Sequence, residues 1–108
     1  MSSIDEVLKS LGDEVLDSVK TEFINLLSQA KDEQIDFVNE TAEKIERWLI
    51  MRVNGDFDDD ELEALLNARK RVVRQNLNTL EIQSRARVEK IVFGIIDIVT
   101  NKLLNKIL

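Results

Sequence analysis

The chain has 108 residues, formal net charge -6, 33% charged residues and neither His nor Cys. That length fits one domain. It excludes disulfide frameworks, thiolate chemistry and Cys-ligated zinc, and it removes the usual general base near neutral pH. With Pro 0 and Gly 3, the composition favours long helices, because both residues break helix interiors.

The charge is unevenly placed. Residues 1–52 carry 12 acids and 6 bases, residues 54–63 carry 6 acids and no base, and residues 64–108 carry 9 bases and 3 acids. The opening Met1-Ser2-Ser3-Ile4-Asp5-Glu6 has neither a basic nor an apolar segment, so no signal peptide is expected. The uncharged run 91–96 is too short to span a bilayer. The expectation is a cytoplasmic protein.

In the first arm, apolar or small residues recur at Ile4, Leu8, Leu11, Val15, Val19, Phe23, Leu26, Ala30, Val38, Ala42, Ile45 and Leu49. The mean step of about 3.75 residues is helical and longer than a strict heptad repeat. A helix is expected over about 3–53. Asn54-Gly55 supplies its stop, with glycine able to take the left-handed conformation after the last turn.

The acidic turn 54–58 follows. Asp58 is the expected N-cap of the next helix, with Glu61 reaching back as a capping box. Phe57 and Leu62 form a hydrophobic staple around it. Asp56, Asp58 and Asp60 also have the spacing that opens a calcium-binding EF-hand loop. However, Glu61 stands where the sharp turn needs Gly, and Asn67 stands where the bidentate Glu belongs. Capping explains the residues better, and no metal or cofactor is expected.

The second arm repeats the helical pattern at Leu62, Leu66, Val73, Leu77, Leu80, Val88, Ile91, Ile95, Ile98 and Leu103. A helix is expected over about 58–107. Folding the arms antiparallel about residue 56 sets Glu40, Glu43 and Glu46 against Arg69, Lys70, Arg71 and Arg74. It also aligns two stretches sparse in apolar residues, 28–36 and 76–84. The fold class is therefore all-α, a long antiparallel helical hairpin forming a single domain over 1–108. The alternative is a compact four-helix monomer with breaks inside 29–36 and 76–84; no Gly or Pro marks such breaks.

Over 91–108 only Gly94, Asp97, Asn101 and Asn105 form a polar stripe, and most of the circumference is apolar. Such a helix needs cover on several sides. Dimerisation of two hairpins into a four-helix bundle would supply it. Leu8, Leu11, Val88, Ile91, Ile95 and Ile98 are the expected contact residues. Burial in a dimer, or under a partner helix, explains this face better than a membrane surface, because only Lys102 and Lys106 are cationic there.

Two chemical patterns stand beside this. Asp32, Glu33 and Asp36 with Glu40, Glu43 and Glu46 resemble, in spacing alone, the magnesium-binding acids of helical nucleotide pyrophosphohydrolases. No phosphate cradle accompanies them, and a solvated helix face is the expected role. Arg69, Lys70, Arg71, Arg74, Arg85, Arg87 and Lys90 form a candidate phosphate-tracking face, as in RNA-binding hairpin dimers. The acids of the first arm are their competing internal partners.

The run Arg87-Val88-Glu89-Lys90-Ile91-Val92, following Asn67-Ala68-Arg69 and Val72-Val73-Arg74, resembles the long-helix segment of the helical A-domain of the GINS replication factors. The likeness covers about residues 63–96. It implies a non-catalytic scaffold subunit of a replisome complex, with the helix buried in a subunit interface. The functional expectation is a non-catalytic interaction or scaffold protein that self-associates. The alternatives are a GINS-like scaffold subunit and a nucleic-acid-binding hairpin dimer.

Overall fold

The computed structural model describes residues 8–9 and 17–103. Its regular structure is entirely helical among those residues. α1 spans Asp17–Asp32, α2 Asp36–Val53, α3 Asp59–Leu77 and α4 Ile82–Ile98. A π-helical turn, Val99–Leu103, continues α4. The expected helix ends near residues 3 and 107 lie outside the described residues.

Each expected arm is interrupted. The first breaks at 33–35 and the second at 78–81, so the uninterrupted helices expected over 3–53 and 58–107 are not what the chain forms. A 50-residue helix would be about 75 Å long, whereas the molecule measures 40 × 26 × 26 Å. Its radius of gyration, 13.5 Å, is close to the roughly 13 Å of a compact domain of this size. One chain thus supplies four packed helices among the described residues.

Neither break uses Gly or Pro. Both work through a side chain of the following helix that reaches back to carbonyls at the end of the preceding helix and in the link after it. At the first, the Asn39 amide donates to the carbonyls of Ala30 (2.6 Å), Lys31 (3.3 Å) and Glu33 (2.8 Å). At the second, Arg85 donates to the carbonyls of Leu77 and Leu80, both at 3.1 Å. Asn39 and Arg85 each occupy the fourth position of their helix. Ile35 and Glu81, just ahead of those helices, are extended and re-aim the chain.

The midpoint turn matches the sequence reading in detail. Gly55 has φ 86°. Its N–H donates to the Arg52 carbonyl, and the Asp56 N–H donates to that of Met51. This is the Schellman pattern that closes a helix on a left-handed residue. Asp58 accepts from the Glu61 N–H at 2.9 Å, and Glu61 accepts from the Asp58 N–H at 3.2 Å. Phe57 is partly buried against the core and Leu62 fully buried. Arg52, in the last turn of α2, pairs with Asp59, in the first turn of α3, at 2.8 Å. Each charge then sits at the helix end whose dipole favours it. Nothing lies within 4 Å of a Cβ built on Gly55, so Gly55→Ala meets only backbone strain. It is expected to cost about 1 kcal/mol, measured by urea denaturation.

α4 explains the over-wide apolar face. α1 packs on α2 and α4, α3 packs on α2 and α4, and α4 reaches α2 as well. α4 therefore touches all three other helices. It buries Val88, Ile91, Val92, Ile95, Ile96 and Ile98, and the π turn adds Val99 and Leu103. α1 contributes Phe23, Leu27 and Ala30 to the same core, and α2 contributes Val38, Ala42, Ile45 and Leu49. At Gly94 a Cβ would come within 3.1 Å of Leu26 Cδ1, so the absence of a side chain there lets α1 lie close against α4.

Candidate interaction surface

The residues expected to form a dimer seam lie inside the monomer. Leu8 and Ile91 are each 4% exposed, Ile98 8%, and Val88 and Ile95 fully buried. Leu11 lies outside the described residues. Over 91–103, Ile91, Val92, Ile95, Ile96, Ile98, Val99 and Leu103 are buried in the chain's own core, and Phe93 is partly buried against it. Among the described residues, no helix is long and apolar enough to cross a membrane.

The basic residues divide by environment. Arg69, with its side chain 10% exposed, donates from Nε to Thr41 Oγ1 (2.8 Å) and from Nη2 to the Phe37 carbonyl (3.2 Å). Thr41, itself buried, donates to the same carbonyl at 2.7 Å. Glu40 lies 3.8 Å from Arg69 Nη1. Arg69 therefore ties α3 to α2, in the register the charge pattern implies.

Lys70 and Arg74 lie over the Phe93 ring, at 5.5 and 5.6 Å from its centroid. That is cation–π range, and Lys70 also lies 3.9 Å from Asp97. Arg85 caps α3, as described. Arg87 forms a two-pronged pair with Glu33, at 2.8 and 3.1 Å. The hydrogen bond to Glu33, and then the Glu33 charge, raise the Arg87 pKa above its ordinary value. Arg71 and Lys90 are exposed and have no ion pair among the described residues. Five of the seven bases thus hold helices together.

The acids are dispersed likewise. Glu46 pairs with Lys31 at 2.6 Å, across α1 and α2, where the long hairpin would have set it against the second arm. Glu40 serves Lys44 and Arg69, and Glu33 serves Arg87. No group of three or more His, Cys, Asp or Glu among the described residues is arranged to hold a metal ion. Around the turn, Asp58 and Glu61 form the capping box and Asp59 pairs with Arg52.

A groove of ≈ 520 Å³ opens at the first break. The paired Glu33 and Arg87 line it, with Gln29, Asp32, Ser84 and Ile91. The Glu33 and Arg87 charges satisfy each other, while Asp32 on the same groove is exposed and has no salt bridge among the described residues.

Sequence reading missed Asn39, Thr41 and the capping role of Arg85. Their only signal was position: Arg85 directly follows one stretch poor in apolar residues, and Asn39 lies just past the other, after Phe37 and Val38. Of the GINS-like segment, Val88, Ile91 and Val92 face the chain's own core, while Arg87 and Lys90 are exposed. Set against family models, curated proteins and solved structures, the chain matches none of them.

Proposed function

We propose that this chain is a non-catalytic helical interaction protein, cytoplasmic, which self-associates and docks partner helices through its exposed charged faces. One observation carries this reading. The apolar helix faces close on one another within the chain, while the outer face of α3 keeps acids, bases and Val72 (38% exposed) in solvent. The pairing of two chains is then a contact between finished four-helix units, not the assembly of one bundle from two hairpins.

Two measurements test the reading. Incubation with nucleoside triphosphates and magnesium is expected to give no hydrolysis. Turnover abolished by Glu40→Gln or Glu43→Gln would overturn the non-catalytic assignment. Gel retardation with DNA and RNA is expected to show no salt-sensitive shift, because five of the seven candidate bases hold internal contacts. A shift lost in Lys90→Glu would move the reading to nucleic-acid binding.

A further inference from the structure

We infer that the outer face of α3 is a self-complementary interface, on which α3 of a second copy lies antiparallel about a two-fold axis near Asn67. This rests on the interaction reading and names its surface and its occupant. Asp60, Glu63, Asn67, Arg71 and Arg74 are all exposed. At 100° per residue they fall within about 80° of arc on α3. The two acids precede Asn67 and the two bases follow it. In an antiparallel pair, Asp60 meets Arg74 of the second copy and Glu63 meets its Arg71. The two-fold repeats both contacts, as an isologous interface requires.

Three observations single out this face. First, Asp60, Glu63, Arg71 and Arg74 form no salt bridge among the described residues. Arg74 meets the Phe93 ring instead of a carboxylate. Second, the charges are segregated. Asp60 and Glu63 are spaced i,i+3, and so are Arg71 and Arg74. Like charges at this spacing destabilise an isolated helix, and alternating signs would stabilise it. The helix dipole accounts for Asp60 in the first turn and Arg74 in the last, but its influence fades beyond those turns. Glu63 and Arg71 need another counter-charge. Third, the short side chain of Asn67 stands at the middle of this arc and Ala64 borders it, both exposed, so no bulky side chain at the centre of the contact holds two such helices apart. α3 packs principally on α2 and α4, which leaves this side open.

One helix face per copy is at the small end of specific interfaces, so the contact is weak and reversible. Its charge pairs are exposed, so salt weakens it.

The test is sedimentation equilibrium of the full chain at low and high salt, with circular dichroism to show that each variant folds. The wild type is expected to show a monomer–dimer equilibrium that salt shifts toward monomer. Arg71→Glu sets a new carboxylate against Glu63 at both symmetry-related contacts, and is expected to weaken the dimer by about tenfold or more. Adding Glu63→Arg reverses both signs and is expected to restore it. Lys90→Glu, an exposed base on α4, serves as the control and should leave the equilibrium unchanged. A dimer indifferent to Arg71→Glu, or a double variant that fails to recover, would overturn the α3 interface and leave self-association standing on another face. A wild type that is monomeric under every condition would overturn both.

Discussion

Ile95→Ala is expected to lower folding stability by about 2–5 kcal/mol, and by the same amount at every protein concentration. Ile95 is fully buried on α4, the helix that meets all three others. Truncation removes three carbons from a position enclosed on several sides. The core cluster that holds Ile95 also holds Phe23, Val38, Ile45 and Leu66, all fully buried, and such a packed interior relaxes only partly around a deleted side chain. Had this face been a dimer seam, denaturation would couple to dissociation and the midpoint would climb with protein concentration. Urea denaturation at two protein concentrations, in high salt to suppress surface association, separates the cases. A concentration-dependent midpoint, or a loss below about 1 kcal/mol, would contradict the single-chain core.

Asn39→Ala should cost about 1–3 kcal/mol, the range for leaving buried or partly buried carbonyls without their donor. The substitution itself favours the helix, since alanine has the higher intrinsic propensity. Any net loss therefore reports the cap and not the helix that carries it. Ala30 is fully buried, and the Asn39 amide meets its carbonyl at 2.6 Å. Removing that donor frees the last turn of α1 and the extended link to α2. Amide exchange should quicken in the last turn of α1 in this variant. Asn25→Ala on the exposed side of α1 is the matched control, expected within about 0.5 kcal/mol of wild type. If Asn39→Ala is no less stable than wild type, the side-chain cap is not what ends α1.

The midpoint turn was legible because its signals are local. Gly55, Asp58, Glu61, Phe57 and Leu62 act on atoms within a few residues of themselves, so their spacing carries the structure. The breaks, read only as the alternative inside 29–36 and 76–84, were faint for the opposite reason. Glycine and proline interrupt a helix through their own backbone, and neither stands at 33–35 or 78–81. Asn39 and Arg85 act through space, on carbonyls up to nine residues away. Nothing distinguishes such an Asn or Arg from an ordinary surface residue until the chain has folded back.

The alignment of the two polar stretches was a true signal with a different cause. The Glu33–Arg87 pair joins the first break to the start of α4, so these stretches do share one side of the molecule. They are corners of the bundle, not the thin waist of a long hairpin. The charge pattern placed Arg69 by Glu40 correctly, because α2 and α3, joined by the midpoint turn, pack on each other. It misplaced Glu46, which the first break brings to Lys31. The apolar breadth of α4 was also read correctly as a demand for cover. Composition cannot say whether that cover comes from the same chain, and the folding-back of α1 supplies it.

The four-helix fold depends on each arm folding back on itself. The chain has no cysteine, so spin labels can be placed at Thr21→Cys in α1 and Asn54→Cys at the end of α2 without side reactions. Both positions are exposed. The Lys31–Glu46 contact fixes an antiparallel register that brings these two ends of the pair together. With helix axes about 8–10 Å apart, pulsed electron–electron resonance should give a label separation below about 25 Å. A continuous first helix would hold the same positions about 50 Å apart at 1.5 Å per residue, and a distance in that range would contradict the four-helix fold.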